Sequence, residues 1–308
     1  MADSKRFPAT QVIDGDICPT YYDPYFYRRA KEFVPKQGDI IQVSFPRSGT
    51  HLMQQLLQLI LNGGRSPATF AEFTKTFPCL ELHTVEERVP PRLIRTHLSM
   101  DKIRFSDNAK YVYVARNPWD CCVSSFHIMR ELPVFEFIDA CFDEFVEAFL
   151  CGRCGFGDYF DHVLSGFNLK ECPNVLFLTY EEILSNKRDV VLKLARFLGG
   201  DYWAILRDNE QVLKQVMEKS ELSFMKYLIP SNLDHVLKSY PEMMESLNKS
   251  RDSSNKMADG AVRTARFVRK GTIGDWKLHF SKESAHKMQA MIDEKFAGTG
   301  IMSFWPLD

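Results

Sequence analysis

Four short apolar runs, at residues 39–45, 92–97, 110–115 and 174–180, constrain this chain more than any other feature. Each reads as a strand, and three of them lead into segments with apolar residues at helical spacing: 52–60, 119–127 and 181–198. Strands alternating with helices predict an α/β fold of one domain, a mostly parallel sheet covered by helices on both faces. The strand ends Phe45, His97, Arg116 and Tyr180 would then open on one edge, where ligands of such sheets collect. Amphipathic segments at 135–150, 159–167, 209–228 and 281–296 add further helices, and Gly199-Gly200 closes the one from Glu181. No linker separates two cores, so residues 39–308 read as the body. Residues 1–38, rich in Tyr21, Tyr22, Tyr25, Phe26 and Tyr27, read as an irregular arm packed on it.

The turn after the first run is Ser44-Phe45-Pro46-Arg47-Ser48-Gly49-Thr50-His51-Leu52. It places Ser48, Gly49 and Thr50 where a helix begins, with free N–H groups and the positive end of the dipole. Such an end suits a phosphate-type anion, and Gly49 lets the backbone approach closely. Arg47 adds a cationic fork. A capped strand-to-helix turn without a ligand is the plain alternative. A Walker loop would need another Gly at Ser44 and a Lys after Gly49, and neither is present. Residues 110–127 repeat the design: a strand, then Arg116-Asn117-Pro118, then a helix carrying Ser124. Near the C-terminus, Arg266-Phe267-Val268-Arg269-Lys270-Gly271 gathers cations beside an aromatic ring, and Gly274-Asp275-Trp276-Lys277 follows. The preceding polar stretch, with Ser250–Lys256, reads as a mobile loop. Phe77-Pro78-Cys79-Leu80-Glu81-Leu82 reads as core packing or as pocket lining.

A formal charge of −1 removes any global pull toward nucleic acid or anionic membranes, so partners of that kind are not expected. There is no run of 18 apolar residues and no apolar core near the N-terminus. Eight cysteines in a chain of this kind read as reduced thiols of a cytoplasmic protein. Cys151 and Cys154 have the spacing of half a zinc site, but no second pair follows, so no metal is expected. Asn248-Lys249-Ser250 matches a glycosylation acceptor that such a location would leave unused.

Together these motifs resemble the cytosolic sulfotransferases. Phe45-Pro46-Arg47-Ser48-Gly49-Thr50 is similar to their 5′-phosphosulfate loop, and Arg95-Thr96-His97-Leu98 to their catalytic Lys-Thr-His-Leu. Arg116-Asn117-Pro118 with Ser124 resembles their 3′-phosphate site, and Arg269-Lys270-Gly271 through Trp276-Lys277 their C-terminal signature. The order and spacing hold over most of the chain. The resemblance implies a P-loop-like sulfotransferase fold and transfer of a sulfuryl group from 3′-phosphoadenosine 5′-phosphosulfate (PAPS) to a hydroxyl or amine. The acceptor would be small and largely apolar, such as a phenol, catecholamine or sterol, and the product adenosine 3′,5′-bisphosphate (PAP). His97 would be the general base, with Arg47, Arg95 and Ser124 in the catalytic set. The backbone of Ser48, Gly49, Thr50, His51 and Leu52 would cradle the 5′ end. Arg116, Ser124, Arg269, Lys270 and Gly271 would hold the 3′-phosphate, and Tyr180, Ser223, Phe224, Phe267 and Val268 would hold the rest of the nucleotide. Phe77, Cys79, Leu82, Phe126 and His97 would line the acceptor site, and Glu81 is placed to favour an amine or to face solvent.

The chain departs from the family pattern at particular positions. Arg47 and Arg95 stand for Lys, Leu52 for an adenine-stacking Trp, and Leu222 for Thr. The dimer motif survives only as Lys277, Ser281, Lys282 and His286, which leaves a homodimer open. These departures mark a divergent member. They also motivate the alternative of a non-catalytic nucleotide or hydrophobic-ligand binder. A phosphate-loop kinase is the remoter one.

Overall fold

The computed structural model describes residues 6–85, 90–241, 244–245 and 264–306. The loop expected at Ser250–Lys256 lies outside them. The chain opens with a hairpin, β1 (Thr10–Ile13) and β2 (Asp16–Pro19), followed by helix α1 (Pro24–Glu32). Residues 6–38 are therefore more regular than the sequence suggests. The strand signal was hidden because each hairpin strand is only four residues long. Ile13, Cys18, Tyr22, Tyr27 and Ala30 of this segment join the main core. Asp16 ties it to the body by accepting from Lys102 at 2.7 Å, and it joins the hairpin to α1 by accepting from Lys31 at 2.9 Å.

Strand β3 (Ile40–Val43) leads into α2 (Thr50–Leu61), and α3 (Phe70–Thr76) precedes β4 (Leu93–Thr96). Strand β5 (Lys110–Ala115) leads into α4 (Pro118–Glu131); α5 (Phe142–Leu150) and α6 (Tyr159–Phe167) come before β6 (Val175–Thr179). These four strands form one sheet in the order β4-β3-β5-β6, and every pairing is parallel. The side chains of β5 show why it is buried on both faces. Tyr111, Tyr113 and Ala115 enter one apolar cluster, while Val112 and Val114 enter the cluster on the other face with Leu56, Leu57 and Leu178. Parallel pairing brings the ends of β3, β4, β5 and β6 to one edge, as the alternation of runs predicts.

The helix boundaries differ in three places. Residues 135–150 are helical only over Phe142–Leu150, because Glu136 adopts φ +49° after a short 3-10 turn at Pro133–Phe135. The segment from Glu181 breaks at Asn186 into α7 (Tyr180–Ser185) and α8 (Lys187–Leu198), with Gly199 at φ +80° ending the second. After α9 (Tyr202–Asp208), residues 209–228 split into α10 (Glu210–Lys219) and α11 (Leu222–Leu228), followed by α12 (Leu233–Leu237). No described helix is long and apolar enough to cross a membrane.

Candidate functional site

The turn after β3 is held from inside. Ser44 Oγ and Thr50 Oγ1 are 2.9 Å apart, and the Ser48 N–H donates to the Phe45 carbonyl at 3.2 Å. Ser48 is fully buried, with Oγ 3.8 Å from Cys121 Sγ. Gly49 sits at φ +102°, and a Cβ there would lie 2.6 Å from the Tyr180 ring. Both backbone and space demand glycine at this position. No side chain caps α2, so the N–H groups of its first turn keep the free valence that anions use.

Cations converge above this turn. Arg47, itself at φ +71°, donates from Nε to Ser124 Oγ at 3.0 Å. Burial, with Arg116 and Arg269 nearby, pushes its guanidinium down to about 10. Arg116 donates to the carbonyls of Arg47 at 3.1 Å and Thr272 at 3.3 Å, and its guanidinium lies 4.6 Å from the centre of the Tyr180 ring. Arg269 and Lys270 face Asp275 at 2.7 and 2.6 Å. Burial works against the charge on Asp275, but the bonds from Lys270 and Arg269 win and hold it at about 2. The segment bearing these residues is pinned to α4: Asp120 accepts from the Gly274 N–H at 2.7 Å and the Trp276 N–H at 3.0 Å, and Trp119 stacks on Trp276 at 4.6 Å. Asn117 joins Asp120 to Glu181, which also takes the Trp305 indole N–H.

His97 follows the end of β4. Its Nδ1 lies 2.8 Å from the Ser44 carbonyl oxygen. A carbonyl only accepts, so Nδ1 carries the proton and Nε2 keeps its lone pair. The backbone of His97 is fixed from both sides, with its N–H donating to Glu81 Oε1 at 2.5 Å and its carbonyl facing His162 Nε2 at 3.1 Å. Burial, with Arg95 and His162 beside it, lowers the imidazole to about 3, against the Ser44 bond that raises it. The ring is therefore neutral at physiological pH. Arg95 donates to Tyr240 OH at 2.8 Å and stands over that ring.

The cations and His97 line one cavity of about 800 Å³. Arg47, Arg95, Arg116, Arg269, Lys270, Ser124 and His97 border it, together with Gly49, Thr50, His51, Leu52, Tyr180, Phe267, Val268, Gly271, Cys79 and Leu82. Five expected residues do not. Phe77 is wholly buried in the core with Ile40 and Leu56, because it faces the opposite side of the sheet. Phe126 packs on Phe142 and Phe145 instead. Ser223 is exposed and Phe224 lies against Tyr227, because α11 turns Leu222 and Met225 to the cavity. Ser48 lies beneath the turn, leaving its neighbours to form the surface. Glu81 faces neither solvent nor the cavity; it is fully buried and also accepts from Thr96 Oγ1 at 2.9 Å.

Sequence reasoning missed Tyr240, Phe156 and Asp120, and it gave no role to Asn117 and Asp275 although both sit inside motifs it singled out. Asp120 carried a usable signal, an acidic residue in the first turn of the helix after Arg116. Among the described residues no group of three or more His, Cys, Asp or Glu could hold a metal ion.

The histidines give a pH test of this packing. Burial is the first cause that lowers His97 to about 3 and His127 and His162 to about 4, from 6.5. Below pH 6.5 the unfolded chain binds protons that the folded chain refuses, so stability falls as pH drops from 6.5 toward 4. Scanning calorimetry should find Tm at pH 5 roughly 5 °C or more below Tm at pH 7. A Tm unchanged over that interval would reject the neutral, buried state of these rings.

Residues 37–300 match the sulfotransferase domain family. The guinea pig (Cavia porcellus) 3-alpha-hydroxysteroid sulfotransferase is 30% identical over 293 residues, covering 90% of each chain. Sulfotransferase 1B1 of Mus musculus is 28% identical over 291 residues, covering 89% of this chain and 88% of that one. In structure, the chain is similar to mouse sulfotransferase SULT7A1 complexed with PAP, with TM-score 0.71, 24% identity and 95% of each chain covered. It is also similar to retinol dehydratase in a complex with retinol and PAP, with TM-score 0.62, 25% identity, and 88% and 84% covered. With residues 37–300 matched to the family and relatives aligned over about nine-tenths of its length, the chain belongs to the sulfotransferase family.

Proposed function

We propose that this chain is a PAPS-dependent sulfotransferase whose acceptor is a small, largely apolar alcohol, phenol or amine. The observation that carries the reading is the convergence of Arg47, Arg95, Arg116, Arg269 and Lys270 on one cavity beside the first turn of α2. Asp275 ion-pairs with Arg269 and Lys270, while Arg47, Arg95 and Arg116 bond neutral oxygens. The wall therefore carries an excess of positive charge, which suits a ligand with more than one anionic group. PAPS, when bound, supplies a sulfuryl group on a phosphate that departs as the nucleotide product.

The 3′-phosphate would be held by Arg116, Ser124, Arg269, Lys270 and Gly271. The 5′ end would rest on the first turn of α2, with Arg47 and Arg95 balancing its charge. Tyr180, Phe267 and Val268 border the same space. His97 Nε2 would take the acceptor proton, since the ring is neutral and fixed in the tautomer a base requires. Residues 1–38 would supply one wall of the acceptor region through Tyr21 and Tyr22, facing Leu82, Phe156 and Met129. These side chains favour an apolar body on the acceptor. All eight cysteines are free thiols, which suits a reducing cytoplasm.

Incubation of the purified protein with sulfur-labelled PAPS and a panel of phenols, amines and sterols tests the reading. Label should appear on at least one acceptor with PAP released in equal amount. Tight PAP binding without transfer to any member of the panel would leave a non-catalytic binder instead.

A further inference from the structure

Glu81 follows a short stretch that extends the sheet beyond β4. The Leu80 N–H donates to the Arg95 carbonyl and the Arg95 N–H to the Pro78 carbonyl, both at 2.9 Å. Cys79 thereby pairs with Arg95 as a parallel bridge. The chain then brings the Glu81 carboxylate over the end of β4, fully away from solvent. Three donors meet it there. Oε1 accepts from Thr96 Oγ1 at 2.9 Å and from the His97 N–H at 2.5 Å, and Oε2 accepts from Cys79 Sγ at 3.1 Å. Thr96 Oγ1 in turn accepts from the Leu98 N–H at 3.0 Å. One buried carboxylate thus engages the residue before the imidazole, the imidazole's own backbone and, through Thr96, the residue after it.

We propose that Glu81 is the positioning residue of the site, fixing the backbone of His97 so that Nε2 stands where an acceptor hydroxyl can reach it. The inference rests on the sulfuryl-transfer reading. A strand end is free to pivot once its ladder stops, and His97 is the first residue past the ladder of β4. Nδ1 on the Ser44 carbonyl sets how the ring is turned; the Glu81 bond sets where the ring is carried from. Small errors in the position of a catalytic group are costly in rate, whereas Arg116, Arg269 and Lys270, assigned to the 3′-phosphate, are held by the carbonyls of Arg47 and Thr272 and by Asp275, not by Glu81. The carboxylate does not border the cavity; it reaches the wall through the His97 N–H and Cys79 Sγ, and of these two residues His97 carries the reacting nitrogen.

The test compares wild type, Glu81→Ala, Glu81→Gln, Thr96→Val and His97→Ala for kcat, KM for PAPS, PAP affinity by calorimetry, and Tm. Glu81→Ala should lower kcat about 100-fold, the range lost when a catalytic group is misplaced, with PAP affinity within about threefold of wild type. Glu81→Gln retains a carbonyl oxygen for the His97 N–H and should recover at least about tenfold of that loss. If Glu81→Ala does not fold, Thr96→Val should show the same selective fall in kcat, smaller in size, because it removes one of the bonds that orient the carboxylate. A kcat within about twofold of wild type in Glu81→Ala, equal losses in the Ala and Gln variants, or PAP affinity falling in step with kcat would overturn the proposal. Failure of the wild type to transfer sulfuryl would instead overturn the reading on which it rests.

Discussion

His97→Ala will lower kcat roughly a thousandfold, within the range a general base contributes, while PAP still binds within about threefold of the wild-type affinity. The separation follows from where the imidazole stands. Its Nδ1 is spent on the Ser44 carbonyl, its backbone is spent on Glu81 and His162, and Nε2 is the atom left for an acceptor proton. The cations expected to hold the nucleotide are attached elsewhere: Arg47 to Ser124, Arg116 to the carbonyls of Arg47 and Thr272, and Arg269 and Lys270 to Asp275. Removing the ring leaves those contacts in place. Burial first, and then the cations Arg95 and Arg47 near it, lower its basicity. A multiply charged nucleotide beside them would offset that field and raise the imidazole from about 3, which makes it a stronger base once the nucleotide is in place. A His97→Ala enzyme that turns over within tenfold of wild type, or that loses PAP in proportion to rate, would remove His97 from this role.

Much of this was legible in the sequence because a parallel sheet converts order along the chain into position along an edge. The runs ending near Phe45, His97, Arg116 and Tyr180 needed only their apolar pattern to be recognised as strands. Once they pair in parallel, their polar tips must share an edge. Arg269 and Lys270 were legible as a local excess of charge, and their place in the cavity follows from Asp120, which binds the Gly274 and Trp276 N–H groups. What the pattern could not give was which face of an element a side chain occupies. Phe77 and Cys79 are two residues apart, yet one enters the far core and the other reaches the cavity. On α11 the residues Ser223 and Phe224 point away while Leu222 and Met225 point in, a difference of one helical step. Glu81 is the extreme case. A carboxylate in a short loop suggests solvent or a charged ligand, and only tertiary packing shows it bound to the backbone of His97. Tyr240 lay in a polar stretch with little periodicity, and its bond to Arg95 spans 145 positions of sequence.

Arg116→Lys is expected to weaken PAP binding about 100-fold although it keeps the charge. The guanidinium does three things that an ammonium cannot do together. NH1 donates to the Arg47 carbonyl in the turn after β3, NH2 donates to the Thr272 carbonyl in the C-terminal segment, and its plane lies over the Tyr180 ring. The two carbonyls belong to chain segments 225 residues apart, counting from 47 to 272, so this one side chain bridges the turn to the loop that carries Arg269 and Lys270. Lysine places one point charge on a flexible stem and loses the fork. Two hydrogen bonds from a charged donor are worth about 1.5–3 kcal/mol each, and about 1.4 kcal/mol is tenfold in affinity, so about 100-fold is a modest expectation. The signature should be the reverse of that for His97: KM for PAPS and the PAP dissociation constant rise together, while kcat at saturating PAPS changes by less than about tenfold. Calorimetry on the PAP complex, with Tm recorded to confirm folding, decides the matter. PAP affinity within about threefold of wild type would mean that charge alone is what this position supplies, and that the bridge between turn and loop is held by Asp120 and the Trp119–Trp276 stack without it.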